Sequence, residues 1–328
     1  MSCWLTASNK INLFVRNFCA IPTLSDNGLH TGGISGSLKS LGFAIRLLNP
    51  TRVIVIFDGQ GGSVRRKKLF PEYKQHRSNK VRLNRIFENT DSSGGETESE
   101  AIGRQLVRLS HYLDVLPVTT IQIDNIEADD VIAYLTVQSF KDSNVSIMST
   151  DKDFYQLVTN DRIKVYSPTK KRIYGQSEIL TEYGIHPKNF ILYRTLDGDV
   201  SDGIGGIKGC GIKTILKAFP FIVEDKTYTI DDIFNHAEKT KGKLKIYDSI
   251  LENKHIVERN YQLMQLSDTI ISTFSQLDIG DLLKKRNKLN RFGFIKMINE
   301  DLMWNAIPGH QTWIDETFVK LDNYNLEV

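Results

Sequence analysis

The sequence contains little cysteine and no long apolar run, and both shortages exclude classes of protein. Among its 328 residues are three cysteines, Cys3, Cys19 and Cys210, whose spacing suits neither a disulfide framework nor a zinc site. No apolar stretch approaches the length of a membrane-spanning helix, and residues 1–9 lack the features of a signal peptide. We therefore expect a cytoplasmic protein, in a bacterium or a virus-infected host cell, with no membrane partner.

A strong net charge is missing too. The formal net charge is +3 at pH 7, and this value by itself says nothing about partners. No internal repeat is visible. The length suits one large α/β domain or a main domain with a smaller helical one. The distribution of the charges along the chain is therefore more informative than their sum.

Alternating apolar patterns predict an α/β fold with a mainly parallel central sheet. Residues 52–57 (RVIVIF) and 145–149 (VSIMS) are typical of buried strands, and an aspartate follows each of them, Asp58 and Asp151. Ligands of such sheets gather outside the carboxyl ends of the strands. From about residue 183 the pattern is helical. The remaining predicted elements are weaker strands at 118–123 and 163–166 and helices at 37–48, 102–113 and 128–139.

Acidic residues form three tight groups, and Asp58 adds a fourth contribution. Each group alone is more often structural, because acids at a helix start satisfy its free amides and its dipole. Together, carboxylates converging on one sheet edge would repel each other unless cations neutralised them. Ligand sets made only of oxygen favour Mg²⁺ or Mn²⁺, and two such ions can promote phosphodiester cleavage. The three groups are Glu127, Asp129 and Asp130; Asp151 and Asp153; and Asp197, Asp199 and Asp202.

Residues 61–100 form a long polar segment whose first half is strongly basic. A charge run is usually a solvated helix face, and charge alone favours that interpretation. Phe70, Pro71 and Tyr73 weaken it, because they supply apolar anchors and a ring on which a base could stack. The competing interpretation is a segment that binds the phosphate backbone of a nucleic acid. Its cations are Arg65, Arg66, Lys67, Lys68, Lys74, Arg77, Lys80, Arg82 and Arg85.

A glycine-rich stretch at residues 206–214 predicts a tight turn between short helices, the second of which starts near Lys213. An ordinary turn between helices has the same appearance. Exposed amides at a helix start can, however, bind a phosphate without reading bases. Its position directly after the third acidic group favours a helix–hairpin–helix that holds one DNA strand. Its candidate binding residues are Gly206, Lys208, Gly209, Gly211, Lys213 and Thr214.

Four stretches together resemble the 5′-nucleases related to bacteriophage flap endonucleases and to the 5′-nuclease domain of bacterial DNA polymerase I. They are residues 57–59 with 69–77, 126–130, 149–154 and 197–211, and the similarity extends from about residue 12 to 230. It implies a PIN-like α/β catalytic domain at 1–182 with a helical arch at about 77–102. It also implies a helical region at 183–328 with a helix–hairpin–helix at about 197–218. The implied metal ligands are Asp58, Glu127, Asp129, Asp130, Asp151, Asp153, Asp199 and Asp202.

The same resemblance implies a role for each basic element. Lys74 and Arg77 would face the scissile phosphate, with Tyr73 near a stacked base, while Arg65, Arg66, Lys67, Lys80 and Arg82 would bind DNA. Two or more Mg²⁺ or Mn²⁺ ions, and a potassium ion at residues 206–211, are the implied cofactors. The implied function is a monomeric 5′→3′ exonuclease and flap endonuclease. Its substrates would be 5′ flaps, branched or nicked duplexes and RNA primers on DNA, with replication proteins as further partners.

One position departs from the family. The family's first strand ends in Asp-Gly-x-Asn-Leu with the Asp as a metal ligand, and this chain has Asn9 at that position. Residues 6–8 are also poor material for a buried strand. An asparagine offers one neutral oxygen and removes a charge. A DNA-junction-binding protein with weakened catalysis is therefore one alternative hypothesis. A PIN-type ribonuclease is another, although such domains are shorter and lack the hairpin.

Overall fold

The computed structural model describes residues 2–8, 12–75, 84, 86–87, 96–268 and 271–326, with the backbone alone at 2–8, 12 and 326. A six-stranded sheet in the order β3-β2-β1-β4-β5-β6 forms its centre. Strands β1 to β5 are parallel and β6 is antiparallel to β5, which confirms the predicted mainly parallel sheet. The strands are β1 (Ser2–Ser8), β2 (Arg52–Asp58), β3 (Thr119–Ile123), β4 (Asn144–Met148), β5 (Ile163–Ser167) and β6 (Arg172–Tyr174).

The strand β1 lies near the middle of the sheet, although its sequence is a poor strand pattern. Leu5 is in register with Ile54 of β2 on one side and with Ile147 of β4 on the other. Two neighbours therefore satisfy its backbone, and such tertiary context overrides a weak local preference. The expectation drawn from residues 6–8 was wrong for this reason. The register also places Ser8, the last residue of β1, beside Phe57 near the end of β2.

Helices cover both faces of the sheet, as the alternating pattern predicted. Side chains of β2 alternate between the two layers: Val53 and Val55 enter the core that contains α1, α2, α4, α13 and α14, whereas Ile54 and Ile56 enter the other core. The helices are α1 (Asn12–Ala20), α2 (Gly32–Leu48), α3 (Val64–Leu69), α4 (Glu98–Asp114), α5 (Ala128–Tyr134), α6 (Gln176–Tyr183), α7 (Phe190–Asp197), α8 (Ile212–Ala218), α9 (Ile230–Lys239), α10 (Lys245–Glu252), α11 (Lys254–Met264), α12 (Thr273–Lys284), α13 (Arg291–Glu300) and α14 (His310–Leu326).

The chain beyond residue 183 is mainly helical, as predicted, but its last helices return to the sheet. Phe294 of α13 and Phe318 of α14 are fully buried in the same core as Phe14 and Leu38. Trp313 packs against α2 so closely that a Cβ at Gly42 would lie 2.6 Å from its ring. The C-terminal helices therefore complete the core on the α2 face of the sheet. None of the helices in the described ranges is both long and apolar enough to cross a membrane.

Candidate active site

Backbone amides hold two of the predicted ligands at the carboxyl edge of the sheet. Asp58 is the last residue of β2, and its Oδ1 accepts a hydrogen bond of 2.8 Å from the backbone N–H of Ala128, the first residue of α5. Asp151 follows β4, and its Oδ1 accepts a 2.8 Å bond from the N–H of Asp153. The first contact joins residues 70 positions apart in the chain and the second is local, and the parallel strands β2 and β4 bring Asp58 and Asp151 to the same edge of the sheet.

The acids at this edge repel one another. Burial and then the charge of Asp151 raise the pKa of Asp129 well above its usual value, and Glu127 and Asp58 contribute in the same direction. Burial, with Asp199 and Asp202, also raises the pKa of Asp151. Burial and then Asp151 raise the pKa of Asp153 to about 7. The cluster thus joins all the predicted metal ligands except Asp130 through mutual repulsion, and a bound cation would relieve it.

Arg66 is a buried ion-pair partner in this structure. Its Nη1 donates to Glu127 Oε2 at 2.6 Å and to Asp130 Oδ2 at 2.7 Å, and its Nε donates to the carbonyl of Leu263. Arg65 reaches Asp130 as well, at 3.2 Å. The side chain of Arg66 is only 4% exposed, so the prediction that it binds DNA is wrong for this arrangement. Asp130 is turned toward these two guanidinium groups.

Tyr73 and Lys74 also face the carboxylates. The Tyr73 hydroxyl donates to Glu127 Oε2 at 3.2 Å and to Asp202 Oδ2 at 3.1 Å. The Lys74 Nζ donates to Glu127 Oε1 at 2.8 Å and lies 4.7 Å from the centre of the Tyr73 ring. Tyr73 is 3% exposed, and a base cannot stack on a buried ring. The stacking interpretation is therefore wrong for this geometry, and the phenol supports the acidic side chains instead.

Arg194 is a functional candidate that the sequence analysis missed. It lies in the apolar helix α7, where its Nε donates to Asp153 Oδ1 at 2.6 Å and its Nη2 to Asp199 Oδ2 at 2.7 Å. Its Nη1 donates to the carbonyl of Gly198 at 3.0 Å. A lone arginine inside an apolar helix, just before Asp-Gly-Asp, is the signal that could have found it. This side chain ties the segment after α7 to the sheet edge.

A short strand pair and a turn connect α7 to α8 in the region of the predicted helix–hairpin–helix. Gly198 and Asp199 (β7) pair with Ile204 and Gly205 (β8), and α8 begins at Ile212, next to the predicted Lys213. A Cβ at Gly206 would lie 2.1 Å from the carbonyl oxygen of Asp197, so a larger residue cannot replace it there. The other candidates are exposed, as contact with a DNA backbone requires: Lys208, Gly209, Gly211, Lys213 and Thr214.

Several predicted residues lie outside the described part of the chain. They are Asn9, Arg77, Lys80 and Arg82, together with most of the predicted arch at 77–102. The C-terminal end of the predicted arch is described and forms the start of α4. There the Thr97 hydroxyl accepts from the N–H of Glu100, and the Glu100 carboxylate accepts from the N–H of Thr97. Lys67, in contrast, is described and exposed, and its role in DNA binding stays a prediction.

Carboxylates at the carboxyl edge of a parallel sheet, beside a turn with exposed amides, are residues of the kind that metal-assisted phosphoryl transfer uses. Three comparisons with known proteins identify the family. The model of the 5′-3′ exonuclease N-terminal resolvase-like domain matches residues 10–184. The 5′-3′ exonuclease of Buchnera aphidicola subsp. Acyrthosiphon pisum (strain APS) is 32% identical over 286 residues, which cover 85% of this chain and 90% of that protein.

Two further similarities are to a larger protein and to a solved structure. DNA polymerase I of Bacillus subtilis (strain 168) is 30% identical over 255 residues, which cover 75% of this chain but 26% of the polymerase. The bacteriophage T5 flap endonuclease, in a complex with DNA and metal ions, shares the fold with a TM-score of 0.63 at 19% identity, over 93% of this chain and 99% of that one. The chain belongs to the 5′-3′ exonuclease family. It is a nuclease, which hydrolyses phosphodiester bonds.

Proposed function

We propose that this nuclease cuts DNA at 5′ flaps, nicks and RNA-primer junctions, using Mg²⁺ or Mn²⁺ held by the acidic edge of the sheet. The observation that carries the proposal is the convergence of acids from different elements at that edge: Asp58 at the end of β2 accepts from the N–H of Ala128 at the start of α5, and the charge of Asp151, after β4, raises the pKa of Asp129 in α5. Asp58, Glu127, Asp153, Asp199 and Asp202 complete the proposed ligand set. All of these residues offer oxygen, the donor that Mg²⁺ and Mn²⁺ prefer.

The cations of the chain occupy several of these acids. Within residues 12–75, 96–268 and 271–326, no three candidate ligands stand close enough together to enclose an ion as they are arranged. Arg66, Lys74 and Arg194 hold Glu127, Asp130, Asp153 and Asp199 by ion pairs. The oxygen donors of these side chains suit divalent ions. In this structure the ion pairs neutralise part of the negative charge that such ions would otherwise balance. Divalent ions in such a site supply a nucleophilic water and stabilise the leaving oxygen.

The residues of the chain have distinct tasks in this proposal. Lys74 sits between Glu127 and Asp202, from where its ammonium group can turn to the scissile phosphate and stabilise its charge. Arg77 is proposed to act beside it. Tyr73 fixes Glu127 and Asp202 through its hydroxyl. Asp130 is proposed as the buried charge partner of Arg66, which holds Glu127 in place, so its part in metal binding is indirect.

The remaining surfaces are proposed to hold the substrate. The exposed turn at residues 206–214 would bind the duplex backbone, with a potassium ion on its carbonyl groups, and Arg65, Lys67, Lys80 and Arg82 would bind the strand near the arch. In this proposal residues 1–182 form the catalytic part and residues 183–328 a helical region whose helix–hairpin–helix, at about 197–218, binds DNA, while its last helices complete the core of the sheet. We also propose that the protein acts as a monomer alongside replication proteins.

Cleavage of an end-labelled 5′-flap DNA in Mg²⁺, Mn²⁺ or EDTA tests this function. We expect cutting near the junction with either metal, none in EDTA, and none by Asp151→Asn. The matched control is Asp161→Asn, an exposed aspartate outside the cluster, which should cut like the parent. Intact flaps in both metals, with the protein folded and the flap bound, would refute the proposal. Cleavage of single-stranded RNA in place of flaps would support the PIN-type ribonuclease.

A further inference from the structure

A cleft of about 450 Å³, separate from the acidic cluster, lies on the α2 side of the sheet where β4 and β5 end. Its lining includes Met148, the last residue of β4, and Tyr166 of β5, so it opens at the same sheet edge as the acidic cluster. Its chemistry is the opposite of that cluster. Four cations line it, and no aspartate or glutamate does: Arg16, Lys39, Arg46 and Lys171.

One of these cations carries an unsatisfied donor. The Nη1 atom of Arg16 is buried and has no hydrogen-bond acceptor among the described residues. A buried donor without an acceptor loses its hydrogen bonds to water and gains none in return, so a buried arginine nitrogen usually has a partner. Arg46 differs, because its Nη1 donates to the Thr317 hydroxyl at 2.7 Å. An anionic oxygen entering the cleft would satisfy Arg16, and the guanidinium fork suits phosphate in particular.

An exposed aromatic ring stands beside the cations. Phe43 on α2 is 45% exposed, while its other face stacks on the buried Tyr166 ring with centroids 6.4 Å apart. An exposed ring fixed from behind is a stacking platform for a planar group. Phosphate oxygens and a planar ring occur together in nucleotides. In a duplex the base faces are covered by their neighbours, so only an unpaired nucleotide can use both features.

We propose that this cleft binds a single-stranded segment of nucleic acid, with phosphates on Arg16, Lys39 and Lys171 and one base on Phe43. The site lies beyond the proposed metal centre and does not depend on cleavage. Asp151 follows closely on Met148 in the chain, so a strand that passes the acidic edge can continue into the cleft. The cleft then gives the enzyme a hold on an unpaired strand outside the residues that cut.

Fluorescence anisotropy with labelled oligothymidylate tests the proposal, and EDTA keeps the measurement independent of cutting. Phe43→Ala should weaken binding at least about fivefold, the smallest effect typical of a stacked base. Phe43→Leu, which keeps an apolar side chain without a ring, should lose nearly as much, and Phe43→Trp should retain the affinity. Lys39→Glu should weaken binding and flatten its dependence on salt. The charge-matched control is Lys296→Glu, whose side chain is exposed on the outer face of α13 and which should bind like the parent.

Three results would overturn the proposal. The first is unchanged oligothymidylate binding by Phe43→Ala and Lys39→Glu, with both variants melting at the parent temperature. The second is an equal loss of blunt-duplex binding in both variants, which would make the cleft a duplex surface. The third is complete displacement of the oligothymidylate by thymidine monophosphate at the same concentration as the oligonucleotide, which would make the cleft a mononucleotide site. Loss of flap cutting by Asp151→Asn with oligothymidylate binding unchanged would support the separation of the two sites.

Discussion

Arg194 and Asp153 form a 2.6 Å charged hydrogen bond although 41 residues separate them in the chain. The same guanidinium holds Asp199, so one buried cation joins the acids that follow β4 to those that follow α7. The Arg194 guanidinium therefore both neutralises these carboxylates and fixes their positions. The acidic edge is a network of carboxylates held by buried cations, and replacing each cation tests its role.

Replacing Arg194 by glutamine should destabilise the fold. Removing one partner of a buried ion pair leaves its carboxylates uncompensated, which typically costs about 3–5 kcal/mol. Urea denaturation in EDTA measures the loss. Arg172→Gln is the matched control, because Arg172 is half exposed and its ion pair with Glu182 is long, at 3.4 Å. Equal stability of the two variants would contradict the assignment of Arg194 as a structural cation of the site.

Arg66 and Lys67 are adjacent and were both predicted to bind DNA, but Arg66 is buried and Lys67 is exposed. Arg66→Gln should lower the free energy of unfolding by about 3 kcal/mol or more, because Glu127 and Asp130 lose their buried partner. Lys67→Gln should change it by no more than about 0.5 kcal/mol, as exposed substitutions do. If DNA affinity falls in Arg66→Gln while stability stays at the parent value, the original DNA-binding interpretation is restored.

Tyr73→Phe distinguishes the two roles considered for Tyr73. A stacking role needs only the ring, so it predicts unchanged cleavage. The hydrogen bonds to Glu127 and Asp202 need the hydroxyl. Their loss should remove roughly 1–3 kcal/mol of the free energy that holds these two carboxylates in place. We expect cleavage of the flap to fall about tenfold with little change in DNA affinity. Tyr228→Phe, which removes an exposed hydroxyl bound to Glu224, serves as the control.

Asn9→Asp should strengthen the active edge. It restores the acid that the family has directly after its first strand, and one more carboxylate should tighten binding of divalent ions. We expect the Mg²⁺ concentration for half-maximal flap cleavage to fall about tenfold, equivalent to roughly 1.4 kcal/mol. Asn160→Asp, an exposed substitution elsewhere, controls for net charge. A parent enzyme that binds flaps but cuts them only after Asn9→Asp would support the alternative of a weakened junction-binding protein.

The apolar patterns at 52–57 and 145–149 predicted two strands correctly. Because parallel strands end at the same edge of a sheet, the aspartates that follow these strands also predicted where the acids meet. It did not predict β1, since a strand between two neighbours can fold without an aliphatic pattern. Nor did it predict the burial of Arg66 and Tyr73. Both are buried by contacts with Glu127, which is 61 and 54 residues away, and no local pattern encodes such a contact.

The central claim is that the cluster around Asp129 and Asp151 performs the metal-dependent cleavage. The adjacent aspartates of α5 test it most directly, because Asp129 belongs to that cluster and Asp130 to the Arg66 pair. The measurement is single-turnover cleavage of a 5′-flap DNA at saturating Mg²⁺ by Asp129→Asn and Asp130→Asn. We predict that Asp129→Asn abolishes cleavage, whereas Asp130→Asn loses stability but still cuts. Cleavage at the parent rate by Asp129→Asn would contradict the account.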